Sequence, residues 1–179
     1  MALIYAAPDQ SSNPGWTIAT IPSKTLPTSQ PRNLSMSRPP PASRAAYRWF
    51  LPITTRFMDN DAFAHVNNVV YYSWIDTAVN RFLIDNGLLD LLTSEIIAVV
   101  AESGCRYLSQ IAYPEGVTVG LRIAKLGGSS VRYELGIFRQ DDDHASAEGH
   151  FVHVYVDRAT MRPVPIPDRT RAVMQTITV

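Results

Sequence analysis

Tyr71, Trp74, Ile75, Ala78, Val79, Phe82 and Leu83 recur at i, i+3, i+4, i+7, i+8, i+11 and i+12. That spacing gathers seven apolar side chains into one stripe along a single helix. Asn67 or Asn68 can cap its start, and Asn86-Gly87 supplies the stop, because glycine tolerates the left-handed conformation beyond a last helical turn. A stripe of this length has to be covered by other elements, and the chain beyond it is strand after strand. Residues 95–108, 117–126, 130–139 and 145–156 carry Val, Ile, Tyr and Phe in partly alternating order. Gly127-Gly128 and Asp141-Asp142-Asp143-His144 fall where hairpins would turn, and Pro163, Pro165 and Pro167 end the pattern. Ahead of the helix, residues 48–57 read as one further strand, with Pro52 suited to an edge or a bulge. One strand, one long helix and then consecutive antiparallel strands make an α+β plan in which the sheet wraps the apolar face of the helix.

Composition narrows what such a domain can do. Sixteen Lys+Arg balance sixteen Asp+Glu, so no general field attracts nucleic acid or an anionic membrane, and an anionic ligand must be held locally. No apolar run approaches the roughly 20 residues of a membrane-spanning helix. The one cysteine, Cys105, excludes an internal disulfide framework and multi-cysteine metal sites, which agrees with a reducing compartment. Neither a metal nor a cofactor is expected.

The balance is itself an average. Residues 1–48 hold eight of the thirteen prolines, many Ser and Thr, and five basic residues against Asp9 alone, so residues 49–179 carry a net −4. This leader reads as a disordered tail outside a folded domain of residues 49–179, which implies a cytoplasmic protein. Its Ser-rich, Arg-bearing, acid-poor composition is also that of a mitochondrial transit peptide, although its prolines oppose the amphipathic helix that import uses. It lacks the basic region and continuous apolar core of a secretory signal.

The stretch Asp59-Asn60-Asp61, His65-Val66-Asn67-Asn68, Tyr71 and Trp74-Ile75-Asp76, with the helix behind it and the later Leu126-Gly127, Ser129-Ser130, Asp157 and Pro165-Ile166-Pro167, resembles the hot-dog-fold acyl thioesterases. The nearest subgroup is the 4-hydroxybenzoyl-CoA thioesterase-like one, and the likeness runs from about Trp49 to Arg171. It implies a hot-dog fold, an antiparallel sheet wrapped around one central helix. It also implies hydrolysis of an acyl thioester of coenzyme A or of a phosphopantetheine carrier, and a homodimer or homotetramer with sites at subunit interfaces.

The chemistry can be argued from the residues as well. Thioester hydrolysis needs a carboxylate to attack or to activate water, and fixed donors for the carbonyl oxygen as it gains charge. Asp61 lies just ahead of a capped helix whose free N–H groups and positive dipole end can receive an oxyanion. The resemblance assigns the second aspartate of the D-x-D pair, Asp61, as the catalytic carboxylate, and places the carbonyl-polarising N–H on or beside Asn68, with Asn67 next to it. Asp59 reads as a turn or ion-pair residue, with Arg56 as partner. His65 either orients substrate or water, or serves as a base held by Asp61, or is a structural histidine bonded to backbone. Phe63 and Tyr71 are candidates to line an acyl pocket, with Tyr72 and Trp74 beside them, although helical spacing puts Tyr71 and Trp74 in the core.

The match has departures. Phe63 stands where plant-type acyl-carrier thioesterases, which this His-Val-Asn-Asn run resembles, carry an Asn, which excludes an Asn-assisted mechanism there. Ala64 occupies a position that is Gly in many bacterial relatives. Glu102 is a second candidate carboxylate but reads better as a solvated strand residue, and Cys105 reads as a small hydrophobe rather than a nucleophile. Arg122, Lys125, Arg132 and Arg139 are candidate phosphate contacts for coenzyme A, or simply exposed strand charges. Two rival functions fit the same pattern: a dehydratase or hydratase of β-hydroxyacyl thioesters, for which the helix offers only Asp76, and a non-catalytic acyl or polyketide binding protein.

Overall fold

The computed structural model describes residues 39–179. Strand β1 (Trp49–Ile53) leads through a loop into helix α1 (Asn68–Asp85), and four strands come next: β2 (Ile96–Tyr107), β3 (Val117–Leu126), β4 (Ser130–Arg139) and β5 (Ala147–Asp157). A short helix, α2 (Asp168–Gln175), closes the chain. The strands form one antiparallel sheet in the order β1-β3-β4-β5-β2.

Helix α1 buries the seven residues of the stripe. Each of the larger side chains contributes about 2 kcal/mol by leaving water. They pack on the inward faces of β3, β4 and β5, where Val119, Leu121, Ile123, Leu135 and Ile137 are fully enclosed. Close approach depends on Gly149 of β5, because a Cβ there would collide with Ile75. The helix ends as its sequence indicates: Gly87 has φ +62°, its N–H reaches the Ile84 carbonyl at 2.9 Å, and the Leu88 N–H reaches the Leu83 carbonyl at 2.8 Å. That pair of bonds is a Schellman cap.

Strands β3 and β4 have the expected bounds, β2 and β5 differ by one or two residues, and β1 stops at Ile53 because residues 57–59 turn into a 3-10 helix. Pro52 lies in an edge strand that pairs only with β3. Helix α2 follows the prolines that end the sheet and is not among the expected elements. It buries just Thr170 and Met174, too little to leave an apolar period in the sequence.

The expected start of the domain, Trp49, is also corrected. The Ala145 N–H donates to the Ala42 carbonyl at 3.0 Å, Ser43 bridges to His144, and buried Tyr47 meets Phe138 edge-on with centroids 5.6 Å apart. Residues 42–48 therefore belong to the folded unit and cover part of the sheet face opposite α1. The rest of the expected tail, residues 1–38, lies outside the described residues. No described helix is long and apolar enough to cross a membrane.

Candidate active site

The loop between β1 and α1 is built from the inside outward. Asp59 is buried, and its carboxylate accepts the Arg56 N–H at 2.8 Å, Arg56 Nε at 3.1 Å and Arg56 Nη2 at 2.9 Å, while its carbonyl accepts the Asn67 N–H at 2.9 Å. The first aspartate of the pair is thus structural and ties the 3-10 turn to the start of α1. Beyond it, Asn60 and Val66 pair as an isolated bridge, the Asp61 N–H donates to the His65 carbonyl at 2.8 Å, and the Ala64 N–H donates to the Asp61 carbonyl at 3.1 Å. Residues 61–65 form a tight turn in which Ala64 takes φ +62°.

Asp61 is half-buried. Its Oδ1 accepts the Phe63 N–H at 2.8 Å, which fixes the plane of the carboxylate and leaves Oδ2 without a protein partner among the described residues. At the helix start, Asn67 is the cap, its Oδ1 accepting the Val69 N–H at 3.1 Å, and its carbonyl accepts the Val70 N–H at 2.9 Å. The Asn68 N–H is left without a partner among the described residues, at the positive end of the helix dipole. The Asn68 carbonyl accepts a hydrogen bond from the Tyr107 hydroxyl at 3.2 Å, joining α1 to the end of β2.

Asp61, His65 and Asn68 open on one cavity of about 370 Å³ whose walls include Val66, Tyr71 and residues 107–110. Of the expected site residues, Asp61, His65, Asn68 and Tyr71 share this cavity, whereas the Asn67 side chain is spent on the cap. Phe63 does not belong to it: the turn throws its ring outward, 80% exposed. Tyr71 both lines the cavity and is buried in the core, stacked edge-on with Tyr107 at 5.1 Å and tilted against Trp74 at 5.2 Å, and burial pushes its hydroxyl up to about 12. The His65 ring has no hydrogen bond among the described residues, so the readings in which Asp61 holds its tautomer, or backbone fixes it, find no bond here.

Residues 107–110 were not singled out from sequence. They reach the site because β2 runs antiparallel to β5 and ends beside the start of α1, a tertiary fact that local patterning does not carry. The secondary candidates are placed elsewhere. Glu102 pairs with His150 at 2.9 Å and Arg132 at 3.2 Å on an exposed strand, and those bonds hold its carboxyl below the usual range. Burial pushes the Cys105 thiol up, away from the thiolate. Arg122 is paired with Glu134 at 2.7 Å and Arg139 with Asp142 at 3.1 Å, so three of the four candidate phosphate contacts, Arg132 included, are already engaged with carboxylates.

Comparison with known proteins shows the family. The sequence model of the thioesterase-like superfamily matches residues 55–174. Among solved structures, the PA5185 protein of Pseudomonas aeruginosa strain PAO1 is similar with 46% identity and a TM-score of 0.76, covering 78% of this chain and 97% of that one. The PA2801 protein of Pseudomonas aeruginosa is 32% identical at a TM-score of 0.66, covering 70% of this chain and 96% of its own. A Thermus thermophilus thioesterase solved with coenzyme A and zinc is 31% identical at a TM-score of 0.59, covering 70% of this chain and 94% of its own. No curated protein matches the chain.

Proposed function

The chain belongs to the thioesterase-like superfamily, and we propose that it hydrolyses an acyl thioester at the cavity shared by Asp61 and the start of α1. One observation carries the proposal: a carboxylate with a free oxygen and an unpartnered helix N–H open on the same cavity. Asp61 Oδ2 takes a proton from a water molecule, whose oxygen attacks the thioester carbonyl carbon. The carbonyl oxygen gains charge facing the Asn68 N–H, at the positive end of the dipole. When the C–S bond breaks, the thiolate leaves with the electron pair and the proton held by Asp61 returns to sulfur. His65, on the cavity wall and unattached, orients substrate or water in this scheme.

The likeness to a thioesterase solved with coenzyme A favours a coenzyme A thioester over a carrier-bound one. Binding the nucleotide would then rely on cations other than the paired arginines of β3 and β4, or on a second copy. The sheet offers a place for that copy. Edge strand β2 is twelve residues long, contains no proline, and is exposed from Val100 to Ser103, whereas the opposite edge is short and interrupted by Pro52. Pairing of two copies along β2 would bring each Asp61 cavity, whose wall includes the end of that strand, close to its partner.

Free-thiol release, measured on a panel of acyl-coenzyme A and acyl-carrier thioesters, tests the proposal. Turnover on coenzyme A thioesters is the expected result. Tight binding without turnover on any member would leave a binding protein instead, and release of water from a β-hydroxyacyl thioester in place of thiol would leave a dehydratase.

A further inference from the structure

A second cavity, of about 200 Å³, lies at the other end of α1. Its wall is formed by Asn80 and Leu83 of the helix, Leu88, Leu89 and Leu91 of the loop after it, Ile96 to Ala98 of β2, and His153 and Tyr155 of β5, with Arg158 beside the loop. The step from Asn68 to Asn80 separates it from the Asp61 cavity by about 18 Å along the helix axis.

Apolar side chains predominate in that wall; Asn80 and Arg158 are polar and solvent-accessible, and His153 is polar and buried. Its ring is 4% exposed, and neither Nδ1 nor Nε2 has a hydrogen-bond partner among the described residues. It stands edge-on to Tyr133 at 5.2 Å and tilted against Phe151 at 5.8 Å, and the Tyr133 hydroxyl is likewise buried without a partner among the described residues. Three buried polar atoms on two stacked rings thus go unmatched, where proteins match nearly all such atoms. Burial pushes the His153 pKa down to about 4 against the opposing pull of the Asp76 carboxylate, so near neutral pH the ring offers one donor and one acceptor.

We infer that this distal cavity is a binding site for a small, mainly aliphatic group that brings one neutral hydroxyl or carbonyl oxygen to His153. Size sets the first half of that description: a dry cavity of about 150 Å³ is enough for one six-membered ring, so this one takes a ring or a short alkyl segment and no long chain. Charge sets the second half. Arg158 directs its Nη groups to the carbonyls of Leu91, Leu92 and Ser94, at 3.0 to 3.2 Å, and so ties the leucine loop down instead of standing free as a counter-ion. A carboxylate would be buried against a neutral ring at high cost, whereas a hydroxyl matches either nitrogen. The group can be the far end of an acyl chain whose thioester lies at Asp61, or a separate small molecule. The first source rests on the hydrolase reading and the second does not.

Cyclohexanol, with chlorocyclohexane as the apolar control, is a suitable probe on the full chain labelled with 15N-histidine. Saturable movement of the His153 imidazole resonances on adding cyclohexanol is expected. His153→Phe should weaken cyclohexanol by about tenfold while chlorocyclohexane binds as well or better. Should His153→Phe fail to fold, Ala98→Leu keeps the histidine and fills the cavity, and should lose both probes. Unmoved His153 resonances, or equal cyclohexanol affinity in wild type and His153→Phe, would overturn the inference. Inhibition kinetics separate the sources: cyclohexanol competing with an acyl-coenzyme A substrate marks the acyl end, and non-competitive behaviour marks an independent ligand. Because the resonance measurement needs no turnover, failure of the site and failure of the hydrolase reading are distinguishable.

Discussion

The two ends of α1 hold two cavities with opposite polar economies. At the N-terminal end, polar groups are half-buried and almost every one has a partner: Asp61 Oδ1 is held by Phe63, Asn67 caps the helix, and Asp59 is enclosed by Arg56. What remains free there among the described residues includes the His65 ring, one carboxylate oxygen and one N–H, and the last two are the minimum set for hydrolysing a carbonyl compound. At the C-terminal end, leucines line a cavity beside a buried histidine that has no hydrogen-bond partner among the described residues. The difference separates the site proposed for chemistry from the one inferred to discriminate. Solvent can reach the first to serve as reagent, and the second is the more enclosed of the two.

The largest effect expected of any substitution belongs to the N-terminal end. Asp61→Ala should lower kcat by a hundredfold or more, the range for a positioned proton acceptor. Its melting temperature should hardly move, because the carboxylate makes a single hydrogen bond to one loop N–H. A loss of activity below threefold would reject Asp61 as the catalytic carboxylate and break the contrast between the two cavities.

At the C-terminal end the comparable effect is on stability rather than rate. A histidine pKa depressed from 6.5 to about 4 means that the unfolded chain binds a proton more readily than the folded one across that interval. The stabilisation is complete above pH 6.5 and is lost as the pH falls toward 4, amounting to roughly 3 kcal/mol. Groups facing the ring from neighbouring elements are Asp76 on α1, which opposes the shift, and the neutral hydroxyls of Tyr133 on β4 and Tyr155 on β5, both pushed up by burial. Denaturant titrations at pH 7 and pH 4.5 should show wild type losing more stability than His153→Phe, which has no proton to gain. Parallel losses would mean that His153 is solvated or partnered, and the distal cavity would then resemble the proximal one.

The same contrast explains how much was legible in the sequence. Asp61, His65, Asn68 and Tyr71 fall within eleven consecutive residues, so turn chemistry, a cap and a helical period were enough to bring them together. The α1 stripe and the strands β3 and β4, bounded by Gly127-Gly128 and the 141–144 turn, were readable for the same local reason. His153 was not readable, because nothing in the run Phe151-Val152-His153-Val154-Tyr155 tells whether alternation places the histidine inside or out; pairing with Val131 and Val100 decides that. Phe63 failed in the opposite way: it is close to Asp61 in sequence, but the left-handed Ala64 turn directs its ring to solvent. Residues 42–48 were misread because Pro39, Pro40 and Pro41 imply loose chain, whereas a few long-range bonds to residues 143–145 anchor the segment directly after them.

That Ala64 turn gives the smallest predicted effect and a test of how independent the two ends are. At φ +62° a Cβ crowds the next carbonyl, at a cost of about 1 kcal/mol, and glycine has no Cβ to crowd. Removing that strain opposes the larger entropy glycine gives the unfolded chain, so Ala64→Gly should raise stability by only about 0.5 kcal/mol. The turn also holds Asp61 through the Ala64 N–H and the His65 carbonyl, so loosening it should alter kcat before it alters KM for thioesters. If the methyl group instead narrows the proximal cavity, KM changes first. Ala64→Gly should leave the His153 resonances where they are, since the turn and the ring share no element except α1. A shift of those resonances would mean that the helix transmits strain along its length, and the two cavities would have to be treated as one coupled site.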